Sequence, residues 1–137
     1  MKADAIDAPK TDDRAATPDA DVGRAEPRAP VLDLAHLARM TLGERALEHE
    51  VLTLFNRQAD MLLVRMASEE PRAVAALAHT LAGSASGIGA WKVAEAATAV
   101  ERAASEPSTI ALTGLMDHLV AAVAEVHAAI GKIQRAD

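Results

Sequence analysis

Cysteine is absent from the 137 residues, which excludes a disulfide framework and a thiolate metal site. Aromatic side chains are nearly absent too, since Phe55 and Trp91 stand alone. No apolar run approaches the ~20 residues that would span a bilayer, and the first thirty residues are too polar for a signal peptide. We therefore expect a cytoplasmic protein with no membrane contact.

Positive charge is also scarce, because 14 Lys and Arg stand against 20 Asp and Glu, for a net charge of −6. No cluster of Lys and Arg is present, which argues against nucleic-acid binding. The glycines at 83, 87 and 89 lack the Lys-Ser/Thr of a phosphate-binding loop, so a nucleotide site and kinase activity are not expected. Ser84 and Ser86 are not spaced as nucleophiles of a histidine base, so we expect no hydrolase and no enzyme.

The chain divides by composition at about residue 30. Residues 1–30 hold four of the six prolines, interspersed charges and few large apolar side chains, so we predict a disordered tail. Residues 31–137 are rich in alanine and leucine, which favours one helical domain.

Apolar spacing predicts the first helices of this domain. A short helix covers about Leu32 to Met40, and a long one covers about 43–67. Thr41 and Glu44 fit a capping box, in which the Thr hydroxyl accepts from a backbone N–H while Glu reaches back. Ser68 and Pro71 mark the start of a third helix, which runs to 87 or 89. The residues predicted to face inward from the long helix are Leu47, Val51, Leu54, Phe55, Leu62 and Met66.

Two more helices follow. One covers about 90–105, Pro107-Ser108-Thr109 breaks the chain, and the last runs to about 134. Short connections imply antiparallel neighbours, hence an all-α, up-down antiparallel four-helix bundle with a short additional N-terminal helix. The inward residues of these two helices are Val93, Ala94, Ala97, Val100, Ala104, Leu112, Leu115, Met116, Leu119, Val123, Val126, Ile130 and Ile133.

His79 lies on the outer side of the third helix. At about 100° per residue, it falls about 150° from the centre of an apolar stripe, so its imidazole points to solvent. The stripe comprises Val74, Leu77, Ala78, Leu81, Ala85 and Ile88, and the small neighbours of His79 are Ala75, Ala76, Ala82, Gly83 and Ser86. Gly83 costs the helix about 0.5–1 kcal/mol relative to alanine. We interpret it as giving a partner protein access to the imidazole.

The segment from Ala78 through His79, Gly83 and Ser84 to Gly89-Ala90 resembles the histidine-containing phosphotransfer (HPt) family, whose pattern is His-x-Leu-Lys-Gly-Ser followed by Gly-Ala. The resemblance covers roughly residues 31 to 134, including Val31-Leu32-Asp33, Leu54-Phe55 and Val100-Glu101. It implies a monomeric phosphocarrier that accepts a phosphoryl group on Nε2 of His79. The implied partners are response-regulator receiver domains and a hybrid sensor histidine kinase. The receiver would supply Mg²⁺, and the chain itself would need no cofactor.

One position departs from the family pattern. Ala82 stands where relatives carry a Lys close to the phosphoryl group. Arg72, two turns before His79, and Lys92, at the start of the next helix, are the basic residues that could replace it in part. Together with Ser86, they are candidate phosphoryl or docking contacts.

Other interpretations compete with a phosphocarrier. The chain could be a helical adaptor that docks on a receiver or kinase without carrying phosphate, whereas a plain structural bundle would leave the small residues around His79 unexplained. We interpret His36, His49, His118 and His127 as ordinary surface residues. His118 and His127 are nine residues apart, on opposite sides of one helix, so we expect no metal site. Trp91 either packs at the end of the bundle core, the favoured interpretation, or lies near the docking face.

Overall fold

The computed structural model describes residues 30–106 and 111–136, in which the regular elements are five α-helices. They are α1 (Leu34–Met40), α2 (Arg45–Met66), α3 (Pro71–Ile88), α4 (Trp91–Ala104) and α5 (Leu112–Ala136). Helices α2 to α5 each pack on the next, α2 also meets α5, and α1 packs on α3. The predicted all-α bundle with a short N-terminal helix is confirmed. The predicted disordered tail and the break at Pro107-Ser108-Thr109 lie outside the described residues, Pro30 excepted.

The core lies between the inner faces of the helices. The apolar stripe predicted for α3 is confirmed, because all six of its residues are buried. Small side chains such as Ala78, Ala85 and Ala97 are fully buried, which lets neighbouring helices approach closely. The largest fully buried side chains are Leu37, Leu52, Leu81, Leu119, Ile130, Val93, Val100, Val123 and Val126.

Helix α2 differs from its prediction. Leu52 and Ala59 are buried, whereas Leu47 is 39% exposed and Leu54 is 53% exposed. The predicted inward positions Phe55, Leu62 and Met66 are correct. Apolar residues cover a wide arc of this helix. The apolar period alone therefore predicted an inner face that is rotated about the helix axis relative to the observed one. Smaller differences affect α4 and α5, where Ala96 replaces Ala94 in the core and Leu112, Leu115, Met116 and Ile133 are half-buried.

The capping box predicted at Thr41 and Glu44 is wrong. Thr41 ends α1 instead, where its hydroxyl donates to the Leu37 carbonyl at 2.8 Å. Leu42 and Gly43 then turn the chain with positive φ, and Glu44 precedes α2 without a side-chain capping bond. Because the Thr41 hydroxyl serves the preceding helix, α2 starts only at Arg45. The next helix begins at Pro71 as predicted, with Glu70 rather than Ser68 as its N-cap.

Helix α1 is held on the turn between α3 and α4 through Asp33. The Asp33 backbone N–H donates to the Gly89 carbonyl at 2.9 Å, and its carboxylate accepts from the backbone N–H of His36 and from Trp91 Nε1, each at 3.0 Å. The hydrogen bond from His36, followed by that from Trp91, lowers the pKa of Asp33. Trp91 is half-buried, with its ring edge on His36, so it covers this end of the bundle.

Gly89 is required by this arrangement. It ends α3 with φ 81°, the left-handed conformation that favours glycine. A Cβ added there would lie 2.9 Å from the backbone oxygen of Asp33. Because the two backbones approach so closely, a side chain at position 89 would force them to move apart.

Candidate functional site

His79 projects from the middle of α3 into solvent. Its side chain is 76% exposed, and the helix buries Val74, Leu77 and Leu81 on the other side. The predicted exposure of His79 is therefore confirmed. The ring makes its polar contact with α4, the antiparallel neighbour of α3.

Glu101 on α4 binds the imidazole. Its carboxylate oxygens lie 3.1 and 3.2 Å from His79 Nδ1. Because a carboxylate can only accept, Nδ1 must carry the hydrogen and donate it. The lone pair of the neutral ring is then on Nε2, which is the ring nitrogen further from the backbone. Glu101 thus selects the tautomer whose outer nitrogen is nucleophilic.

Sequence reasoning did not assign Glu101 to the site. The signal was present, however, since short connections predicted α3 and α4 to be antiparallel. A charged residue near the end of α4 would then lie beside the middle of α3. Half-buried Glu101 follows the buried Val100 and meets that description.

The residues of α3 around His79 have small side chains. Gly83, one turn further along, is exposed, and a Cβ added there would meet nothing within 4 Å. Packing within this chain therefore does not require glycine at position 83. Ala82 and Ser86 are half-buried on the same side of α3. A second macromolecule could approach the imidazole closely over these residues.

The two candidate cations are placed differently. Arg72 is exposed, seven residues before His79 on the same side of α3, roughly 10 Å away along the axis. Lys92 pairs with Glu125 of α5 at 3.5 Å. It precedes Glu101 by nine residues, which places it on the opposite side of α4. The structure thus does not bring Lys92 to His79, and Arg72 is the candidate cation left.

The other histidines divide into two groups. His118 is exposed, as predicted. His36, His49 and His127 are only partly at the surface, because each is half-buried. His127 joins α5 to α2, because its ring nitrogens lie 2.5 Å from Asn56 Oδ1 and 2.8 Å from Asp60 Oδ1. Within residues 30–106 and 111–136, no group of three or more His, Asp or Glu side chains is arranged to hold a metal ion.

An apolar groove of about 510 Å³ runs between α1, α2 and α3. It reaches α3 at the half-buried Ser84 and Gly87, which lie about one and a half to two turns beyond His79 along the helix and roughly 80–140° round its axis. Its remaining lining residues are Leu37, Met40, Thr41, Leu47, Val51, Leu54, Phe55, Gln58 and Ile88.

Comparison with known protein families matches residues 50–135 to the Hpt domain, which is more than half of the chain. The chain belongs to the Hpt family. The matched residues include His79, Gly83 and Glu101, so the residues that form this site lie within the Hpt domain.

Two solved structures resemble this Hpt protein in fold. Histidine-containing phosphotransfer protein B from Pseudomonas aeruginosa is 19% identical with a TM-score of 0.75, covering 80% of this chain and 99% of that one. A rice protein described as a histidine-containing phosphotransfer protein is also 19% identical, with a TM-score of 0.67 and coverage of 77% and 80%. At this identity, the likeness supports the fold alone. No curated protein sequence matches the chain.

None of the helices in the described part of this Hpt protein is both long and apolar enough to cross a membrane.

Proposed function

We propose that this Hpt protein carries a phosphoryl group on Nε2 of His79. It accepts the group from an aspartyl phosphate on a receiver domain and passes it to another receiver domain. The observation that carries the proposal is the exposed His79 imidazole, whose Nδ1 is bound to Glu101 so that the lone pair lies on Nε2. The chain acts stoichiometrically, as a carrier rather than an enzyme.

The chemistry needs little from this chain. The Nε2 lone pair attacks phosphorus in line, and the bond to the aspartyl oxygen breaks with its electron pair going to the carboxylate. The ring acquires a positive charge while Nδ1 keeps its proton, and a Glu101 carboxylate oxygen lies 3.1 Å from Nδ1 to accept that proton in a hydrogen bond. No proton has to move in either direction. Mg²⁺ belongs to the receiver domain in this proposal, so the chain itself needs no cofactor.

The docking surface follows from the shape around His79. The open space over Gly83 allows close approach, and the groove beside Ser84 and Gly87 offers apolar side chains to a partner. The partners we propose are response-regulator receiver domains and a hybrid sensor histidine kinase. Arg72 is the cation that we place nearest to the transferred group.

The direct experiment incubates the chain with a phosphorylated receiver domain and Mg²⁺. We expect an acid-labile, alkali-stable phosphate on the wild-type protein and none on His79→Gln. His118→Gln is the matched control, because His118 is also exposed and lies on α5. Circular dichroism of His79→Gln should be unchanged, since the side chain is 76% exposed.

The same experiment separates a carrier from an adaptor. An adaptor would bind the receiver equally well in the wild-type and His79→Gln forms, and neither would take up phosphate. Phosphate on the His79→Gln variant would show that another residue is the acceptor, and that result would overturn the proposal.

A further inference from the structure

Helix α2 carries more apolar surface than the bundle uses. One row faces the core and is buried, and it comprises Leu52, Phe55, Ala59, Leu62 and Met66. A second row faces outward, in which Leu47, Leu54 and Met61 are 39, 53 and 55% exposed. These three residues repeat every seven positions, so they lie along one side of the helix. With Val51 and Gln58 between them, the spacing alternates between four and three residues, as in a coiled-coil seam.

The charged residues beside this outer row can form opposite-charge pairs with the same residues of a second copy. Glu50 lies four residues before Leu54 and Arg57 three residues after it, and both are exposed. When two copies of α2 run antiparallel and cross at Leu54, Glu50 of each faces Arg57 of the other. In a parallel pair, Glu50 would lie level with Glu50 of the other copy and Arg57 level with Arg57, so opposite charges would not face each other.

We propose that the outer row of α2 binds α2 of a second copy of this chain, antiparallel, with the two-fold axis at Leu54. The contact buries Leu54 against itself and Leu47 against Met61, and it forms the Glu50 to Arg57 pair twice. Such self-complementary patches are typical of two-fold dimers. The inference does not depend on the phosphocarrier role, and it differs from the monomer that the family resemblance implies.

The interface is small. From residue 47 to residue 61, the helix is about 21 Å long, so the buried area is at the low end for a specific complex. We therefore expect a dimer with a dissociation constant on the order of 10–100 μM. Leu47, Val51, Leu54 and Gln58 also line the groove beside α3. If the phosphocarrier proposal holds, the dimer covers one wall of the docking surface, and the monomer is the form that docks.

Crosslinking tests the axis directly, because the chain contains no cysteine. Leu54→Cys places one thiol on each side of the two-fold axis and should form a disulfide-linked dimer under mild oxidation. Val120→Cys is the matched control, since Val120 is 48% exposed but lies on α5. The control should crosslink at least tenfold more slowly. Equal rates for the two variants would contradict an axis at Leu54.

Sedimentation equilibrium of the wild-type chain, at concentrations from about 5 to 500 μM, tests the association itself. Glu50→Arg and Arg57→Glu should each weaken it about tenfold, and the double variant should restore it. A wild-type chain that stays monomeric at all concentrations would overturn the proposal. A dimer whose dissociation constant is unchanged by both charge reversals would overturn it as well. Protection of Leu54→Cys from alkylation by a receiver domain, with no self-association, would assign the row to the receiver instead.

Discussion

His79 Nδ1 and the carboxylate of Glu101 lie 3.1 Å apart, although 22 residues of sequence separate them. The contact joins the exposed side of α3 to the edge of α4. One helix therefore presents the nucleophile while its antiparallel neighbour fixes the position of the ring proton.

Glu101→Gln should slow phosphate acceptance. The amide oxygen can still accept from Nδ1, but the negative charge beside the developing imidazolium is lost. Exposed ion pairs contribute about 0.2–1 kcal/mol, so we expect a reduction of up to about fivefold, shrinking as salt rises. Single-turnover transfer from a phosphorylated receiver measures it. Glu95→Gln, the same change on the outer side of α4, is the control, and an equal effect there would remove the special role of Glu101.

Gly83→Gln should slow transfer while stabilising α3. The space over Gly83 is open, so the new side chain fits the isolated protein and obstructs only a partner. Replacing a helical glycine should raise the free energy of unfolding by about 0.5–1 kcal/mol. Gly114→Gln provides the comparison, because a side chain at this α5 position is equally unhindered. It should leave transfer unchanged. Normal transfer by Gly83→Gln would show that the partner does not approach over this residue.

Ala82→Lys should lengthen the life of phosphorylated His79. Position 82 is one turn beyond His79, so a Lys there can reach a phosphoryl group on Nε2, while the Glu101 carboxylate lies against Nδ1 of the same ring. In this wet, screened setting the gain is of order 1 kcal/mol or less, about tenfold at most in lifetime. Phosphohistidine decay at low and high salt measures it, with Glu101→Gln added to remove the competing carboxylate. If Ala82→Lys has no effect while Arg72→Ala shortens the lifetime, Arg72 already fills this role.

Gly89→Ala should destabilise the bundle by about 1–3 kcal/mol or more, because a Cβ at 2.9 Å from the Asp33 oxygen adds a clash to the left-handed strain. Gly43→Ala separates the two causes. Gly43 also has positive φ, at 74°, but a Cβ there meets no atom within 4 Å. Urea unfolding should therefore show a clearly smaller loss for Gly43→Ala. Equal losses would mean that strain alone accounts for the effect.

Asp33 should make stability depend on pH on the acid side. Because its pKa is lowered in the folded protein, its ionised form contributes stability above the unfolded carboxyl pKa, near 3.8. That contribution is lost as pH falls through the folded-state value. The difference in unfolding free energy between wild type and Asp33→Asn should thus be constant near neutral pH and shrink below about pH 4. Urea unfolding of both proteins across this pH range measures the difference, and a difference that does not shrink would contradict the role of Asp33.

The inner face of α3 was predictable from the sequence, whereas that of α2 was predictable only in part. The α3 stripe has one apolar row, so its burial and the exposure of His79 both follow from a 3.6-residue period. On α2 two apolar rows lie about 100° apart, and a period cannot tell which of them meets the core. Only the packing of α3 and α5 against α2 decides it.

Polar side chains were harder to predict, because each can form its hydrogen bond or ion pair with more than one neighbouring helix. The Thr41 hydroxyl could accept at the start of α2 or donate at the end of α1, and the Leu37 carbonyl takes it. Lys92 lies soon after α3 in the sequence, but its position on α4 brings it to Glu125 of α5, with which it forms an ion pair. The contacts of His127 with Asn56 and Asp60 depend on the packing of α2 against α5, which the sequence of α5 does not show.

Trp91 gives this chain a built-in optical signal. It is the only indole, and the sequence contains no tyrosine, so near-ultraviolet emission comes from this one ring. The ring donates to Asp33 and touches His36, both at the start of α1, and α1 forms one wall of the apolar groove. Emission from the unlabelled protein should therefore change whenever α1 shifts to admit a partner, and stay constant when a partner binds without moving it.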